Sequence, residues 1–129
     1  MTEYRGWSKS RTFCEACRYA WRGMVFGVKA ERNMRIQLMV CVVVLISVVL
    51  LALPPVELAV IILVSALVLA LEMVNTAAEE LADVVKPEWH ERVCHFKDIT
   101  AGAVLLSSLA AIFIGWLLLG PPLVALVIG

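Results

Sequence analysis

The chain has 129 residues, 62% of them hydrophobic, with eleven acidic and eleven basic side chains and a mean hydropathy of +0.92. A soluble domain of this length does not carry so much apolar residue, so the composition excludes an ordinary globular protein and indicates a polytopic membrane protein. Eight of the eleven Lys and Arg precede Ile36 and the other three are Lys86, Arg92 and Lys97, a distribution that sets membrane topology and does not mark a nucleic-acid partner.

Residues 1–10 are polar, with no short apolar core and no small-residue cleavage site, so no secretory signal is expected. From about Arg11 to Arg32 the pattern is amphipathic. Phe13, Cys17, Ala20, Trp21, Met24 and Val28 share one side, while Arg18, Arg22, Lys29 and Arg32 lie elsewhere. Basic residues interleaved with aromatics suit a helix lying in the membrane interface. Gly23 and Gly27 form a G-x-x-x-G that could let another helix approach closely. Cys14 and Cys17 form a C-x-x-C with no second pair and no βαβ pattern. With Cys41 and Cys94 they read as reduced, structural cysteines of a cytoplasm-facing protein.

Three membrane spans follow. The first covers 36–53, with only Gln37 and Ser47 polar, and is expected to end at a tight Pro54-Pro55 turn. The second covers 56–78, its helix continuing to about Val85, with Pro87 marking the end. A polar loop, 86–98, leads to a third helix that Lys97-Asp98 is expected to open. That span covers 99–119 and is expected to break at Gly120-Pro121-Pro122, leaving a short apolar tail. The positive-inside rule places 1–35 and 86–98 in the cytoplasm, and the Pro54-Pro55 turn and the C-terminus outside.

The second span ends in Glu72-Met73-Val74-Asn75-Thr76-Ala77-Ala78-Glu79-Glu80-Leu81-Ala82-Asp83, where four carboxylates follow a long apolar run. On a helix, Glu72, Asn75, Thr76, Glu79 and Asp83 share one face. A carboxylate at Glu72, still flanked by Met73 and Val74, is expensive in a membrane and marks a functional site. At ~1.5 Å rise per residue Glu79 stands about 10 Å further along the axis, so Glu72 lies deeper and Glu79 reaches the interface. That pair suits a reaction between a lipid hydroxyl and a water-soluble donor. Glu31, just before the first span, lies at a depth similar to Glu79. Two carboxylates from different helices could share Mg2+, which prefers oxygen ligands completed by substrate phosphates. Lys97 could neutralise phosphate oxygens, and Asn75 could donate or accept hydrogen bonds.

Structural roles compete with these. Glu80 faces away from the Glu72 stripe and reads as a solvated charge; Asp83 could pair locally with Lys86; Glu57 marks the outer surface. Arg32 and Arg35 could be topology anchors. Lys97 could be an interfacial anchor and Asp98 a helix N-cap, and for these two both readings stay open. Ser107 and Ser108 read as helix-packing residues. There is no P-loop and no H-E-x-x-H, and His90 and His95 have no clear metal partners. A non-enzymatic membrane scaffold or a cation-conducting oligomer would use Glu72, Asn75 and Glu79 but would leave Glu31, Lys97 and Asp98 without a role. A lipid phosphatase would want a basic phosphate pocket and a nucleophile, which the acidic stretch does not offer.

Three segments in order resemble the prokaryotic diacylglycerol kinase family, which includes the undecaprenol kinases: Glu31-Arg32-Asn33-Met34-Arg35-Ile36; Glu72-Met73-Val74-Asn75-Thr76-Ala77-Ala78-Glu79, similar to the family's E-x-x-N-[ST]-A-x-E; and Lys97-Asp98-Ile99-Thr100-Ala101-Gly102-Ala103-Val104-Leu105, with Phe96 in place of its usual Ala. The likeness runs from about Arg11 to Leu119. It implies an all-α membrane protein with an interfacial amphipathic helix and three transmembrane helices, assembled as a homotrimer with sites between subunits. It implies a kinase that phosphorylates a membrane lipid with ATP and Mg2+ in the bacterial inner membrane. By the same resemblance Glu72 is the general base toward the lipid hydroxyl, and Glu31 and Glu79 hold Mg2+ with ATP. Asn75, Lys97 and Asp98 support the phosphates and the site, and Tyr19, Glu88, Trp89 and His90 contact the nucleotide. Arg35 matches a basic residue on the lipid side. Gln37 stands where the diacylglycerol-specific branch carries Glu, which tilts the expected substrate toward undecaprenol.

Overall fold

The computed structural model describes residues 12–128; the polar residues 1–10 and Arg11 lie outside them. The described residues form four helices, α1 (Phe13–Ala30), α2 (Arg32–Leu50), α3 (Pro55–Val85) and α4 (Glu91–Ile128). Three of these, α2, α3 and α4, are long and apolar enough to cross a membrane. This is a multi-pass, all-helical membrane protein.

Thr12 caps α1 through its side chain, which accepts from the Glu15 backbone N–H at 3.3 Å. Glu31 then adopts extended backbone, φ −103° and ψ 125°, and separates α1 from α2. The two helices meet where Gly27, buried, faces the Met34 side chain, which is also buried; a Cβ at Gly27 would lie 3.4 Å from Met34 Cε. Gly23 has nothing within 4 Å of the equivalent position. The G-x-x-x-G pair therefore does not act as a two-glycine helix contact here. Gly27 alone makes room, and it makes room for a side chain.

Helix α2 starts at Arg32, one turn before the expected 36, and stops at Leu50. The chain turns through Leu51, Ala52 and Leu53, and Pro55 is already the first residue of α3. The turn thus precedes the prolines instead of being made by them. Pro54 and Pro55 suit the start of the next helix, where a missing N–H costs nothing. Helix α3 ends at Val85, as expected, with Lys86 as its C-cap.

Two larger differences concern α4. It begins at Glu91, so 91–98 is helix and not loop, and Asp98 is not its N-cap. His90 does the capping: its Nδ1 accepts from the Arg92 N–H at 3.2 Å, and its carbonyl accepts from Val93 and Cys94 at 3.0 and 3.1 Å. A histidine in this position carries none of the usual cap signals. The helix also runs through Pro121 and Pro122 to Ile128. Proline's fixed φ of about −65° is already helical. The two prolines leave the Leu117 and Leu118 carbonyls without their helical donors, and Gly120 ahead of them has no Cβ to clash with the first ring.

Helix α3 is central. It packs most extensively on α4 and next on α2, whereas α2 and α4 scarcely meet. Val48, Ile61 and Val68 form the buried apolar seam. Most other apolar residues, Leu63, Leu67, Ile112 and Phe113 among them, face outward, as expected of helices whose neighbours are lipid or other chains. The α2–α3–α4 order brings the N-terminus of α2, the C-terminus of α3 and the N-terminus of α4 to one end of the bundle.

Candidate active site at the acidic end of the bundle

Glu72 is at the centre of that end. Only 2% of it is exposed, although it is a carboxylate directly after the apolar stretch of α3. Its Oε2 accepts a hydrogen bond from Gln37 Nε2 on α2 at 3.2 Å. One turn on, buried Thr76 donates its hydroxyl to the Glu72 backbone carbonyl at 3.0 Å. Glu31 and Glu79 both lie close enough to Glu72 for their charges to act on it. The three acidic groups expected to work together thus belong to one end of one chain, at the α1–α2 junction and at two levels of α3.

Each is held differently. Glu31 stands at the N-terminal end of α2 but its side chain makes no capping hydrogen bond, and the positive end of that helix favours its charge. Glu79 Oε1 accepts from Asn75 Nδ2 at 3.0 Å, an i, i+4 contact along α3. That bond leaves Asn75 Oδ1 buried without a partner. Arg35, on the first turn of α2, points back across the junction. Its Nη1 donates to the carbonyls of Val28 and Lys29 at 3.2 and 2.9 Å, satisfying carbonyls that the end of α1 leaves open.

Lys97 lies on α4 and forms an ion pair with Asp83 on α3. The expected local pairing of Asp83 with Lys86 is thus replaced by a link between helices, and Lys86 instead lies 3.8 Å from Glu88. The hydrogen bond that Lys97 donates to Asp83 holds its ammonium above the ordinary range, with smaller help from the charges of Asp83 and Glu79. Asp98 is exposed on the next position of α4; Glu88, Trp89 and His90 are exposed on the α3–α4 connection; Tyr19 is exposed on α1; and Glu80 is exposed as expected. The structure gives no contact that joins Tyr19, Asp98, Glu88 or Trp89 to the Glu72 cluster, and His90 is engaged at the start of α4.

A cleft of about 560 Å3 runs between α2 and α4 with α3 as its floor. Its walls are almost wholly apolar, Val40, Cys41, Val64, Val68 and Ile112 among them, and Gln37 is part of its lining. Gln37 therefore touches both a lipid-like surface and the Glu72 carboxylate. Its contact with Glu72 was not legible in the spacing, because the two residues belong to different helices.

Among the described residues no three His, Cys, Asp or Glu side chains gather closely enough to hold a metal ion by themselves. Two carboxylates are a sufficient protein contribution for Mg2+, which keeps waters and takes substrate phosphates for the remaining positions. Glu31 and Glu79 are hard oxygen donors of the kind Mg2+ takes, and among the described residues neither is in an ion pair.

The fold and this end of it define a membrane-embedded protein that brings a buried carboxylate to the edge of a span. Residues 18–119 match the family model for prokaryotic diacylglycerol kinase. The chain is also 39% identical, over 123 residues, to a diacylglycerol kinase from Synechocystis sp.; the match covers 95% of this chain and 70% of that relative. The chain belongs to the prokaryotic diacylglycerol kinase family, and it is a lipid kinase, a phosphotransferase with an alcohol acceptor. That assignment sets aside the scaffold, the cation-conducting oligomer and the phosphatase.

Proposed function

We propose that this kinase transfers the γ-phosphate of ATP, with Mg2+, to the hydroxyl of undecaprenol or of diacylglycerol. The observation that carries the reading is the buried Glu72 carboxylate with Glu31 and Glu79 in electrostatic reach. The lipid chain enters sideways from the bilayer along the cleft between α2 and α4, which supports an acceptor hydroxyl arriving beside Gln37 and Glu72. Glu72 takes the hydroxyl proton as the new P–O bond forms and the bond to ADP breaks. Glu31 and Glu79 hold Mg2+ with ATP, and Asn75 keeps Glu79 oriented. The bound ion supplies neutralisation of the charge on the transferring phosphoryl group. Lys97 adds a second positive charge, exchanging Asp83 for phosphate oxygen, and Asp98 supports it. Tyr19, Glu88, Trp89 and His90 contact the nucleotide, and Arg35 borders the lipid side. Most of this is placement and charge neutralisation, the larger part of phosphoryl-transfer catalysis.

In this reading α1 lies in the interface of the bacterial inner membrane, the acidic end and the N-terminus face the cytoplasm, and the C-terminus faces outside. The positions of Lys86, Arg92 and Lys97 support that orientation. Three helices with exposed apolar faces support assembly as a homotrimer in which neighbouring chains complete each site. Gln37 supports undecaprenol as the preferred acceptor.

The test is phosphate transfer from ATP to each lipid, side by side in mixed micelles, with and without Mg2+. The expected result is turnover that needs the metal and is faster on undecaprenol. Absence of lipid phosphorylation on both acceptors would overturn the reading.

A further inference from the structure

The carboxamide of Gln37 bridges two helices to reach Glu72. Its Nε2 donates to Glu72 Oε2 at 3.2 Å, while its own Oε1 is buried without a partner. Neither of the ion pairs among the described residues includes Glu72. The buried carboxylate is thus held by a neutral donor and not by a cation. An ionised carboxylate can only accept, so it selects the NH2 side of the amide and leaves the oxygen side unused. A buried amide oxygen without a partner is costly and uncommon. Gln37 stands between Ile36 and Leu38, with apolar Val40 and Cys41 one turn on.

We infer that Gln37 is a positioning residue that serves both protonation states of Glu72, by turning its carboxamide over when the proton of the acceptor hydroxyl arrives. The inference rests on the kinase reading above. Before transfer, Nε2–H donates to the Glu72 carboxylate and fixes the direction of its lone pairs toward the cleft. As the lipid O–H bond breaks, the new phosphorus–oxygen bond forms and the bond from the γ-phosphorus to ADP breaks, with ADP leaving, and the proton moves to a Glu72 oxygen. Glu72 is then a donor, and the NH2 group facing it no longer fits. A half-turn about the last torsion of Gln37, which is broad and nearly two-fold, brings Oε1 to accept from the new Glu72 O–H. The free oxygen has no other hydrogen bond to break first. Release of that proton to water restores the starting arrangement. A lysine or arginine at this position would hold the carboxylate in one state only, because neither can accept a hydrogen bond.

The experiment uses the full chain in mixed micelles with Gln37→Met and Gln37→Leu, which keep similar bulk and cannot donate (Leu cannot accept either, and the Met sulfur accepts only weakly), and with Gln37→His, whose ring can do both. Wild-type turnover is measured first. Its absence on both lipids would overturn the kinase reading and this inference with it, whereas normal wild-type turnover isolates the inference. The expected result is a kcat lower by about 10- to 100-fold in the Met and Leu variants, the range of one hydrogen bond to a charged group, with KM for lipid and for MgATP unchanged. Partial recovery of kcat is expected in Gln37→His. Wild-type kcat in Gln37→Met would overturn the inference. So would a rise in lipid KM with kcat intact, which would make Gln37 a substrate contact only. Loss of helix content in both the Met and Leu variants, measured by circular dichroism, would make it a structural residue and overturn it equally.

Discussion

At the Leu51–Pro54 turn the backbone is closed by local bonds. Leu53 N–H reaches the Val48 carbonyl at 3.2 Å and Ala52 N–H reaches Val49 at 3.1 Å, the paired bonds of a Schellman cap. The opposite end of the bundle is built on other terms. Both of the buried side-chain atoms without a partner among the described residues, Gln37 Oε1 and Asn75 Oδ1, lie there. So do the buried Glu72 and the uncapped Glu31. One end spends its polar groups on ending helices, and the other holds polar groups in reserve. Such unfinished satisfaction is a stability cost that a chain keeps where chemistry needs the groups.

The largest expected effect on this contrast comes from Glu72→Gln. It keeps shape and hydrogen bonding but cannot accept the proton, so kcat should fall by about 100- to 10,000-fold, the range for a general base. Binding of MgATP, measured separately by titration calorimetry, should be retained. Full turnover in the variant would remove Glu72 from proton transfer and make its burial merely structural.

Glu31→Gln and Glu79→Gln should behave differently from Glu72→Gln. Each removes one anionic oxygen donor, so the Mg2+ concentration giving half-maximal activity should rise by at least about tenfold, taking the weaker effect of an outer-sphere change as the lower bound. Asn75→Ala should produce a smaller shift in the same direction, because it frees Glu79 from its 3.0 Å hydrogen bond. An Mg2+ titration across the three variants checks the order. If Glu31→Gln leaves the Mg2+ dependence unchanged while Glu79→Gln shifts it, the metal has one protein ligand and Glu31 acts only through its charge.

The sequence made much of this end legible because its evidence is one-dimensional. Glu72, Asn75, Thr76 and Glu79 fall on one face by spacing alone, and the apolar runs delimit three spans with little ambiguity. What it could not convey were contacts between helices. Asp83 was already on the Glu72 stripe, yet its partner proved to be Lys97 on α4, fourteen positions on. Gln37 and Glu72 are thirty-five apart, and no periodicity relates them. The helix ends were misjudged where unusual residues do common jobs: His90 as the cap of α4, and Pro121-Pro122 carried inside a helix.

The Asp83–Lys97 link gives a pH-dependent prediction. Lys97 is raised above its ordinary value of 10.5, chiefly by the hydrogen bond to Asp83. A group raised on folding contributes stability that is fully present below its unfolded value and disappears as pH climbs through the folded one. The link is therefore intact throughout the neutral range on the lysine side. Thermal midpoints of the wild type and Asp83→Asn should differ by a small constant amount from neutral pH upward and converge only above pH 10.5. Convergence near neutrality would show that Lys97 does not hold the proton in this pair.

The smallest effect belongs to the other end. Ala52 sits at the C′ position of the α2 cap with φ 51°, a left-handed conformation that costs an L-residue roughly 1–2 kcal/mol. Glycine adopts it without the Cβ clash but loses about 0.5–1 kcal/mol through the greater freedom of the unfolded chain. Ala52→Gly should therefore stabilise the protein by about 0.5–1 kcal/mol, read as a higher unfolding midpoint in detergent, with kcat and both KM values unchanged. The absence of any change in kcat is the informative half of that result. The turn and the acidic end sit at opposite ends of α2 and α3, so tightening a cap that only closes the backbone should leave proton transfer untouched. A change in kcat would mean that the length of α2 transmits the geometry of its far end to Gln37.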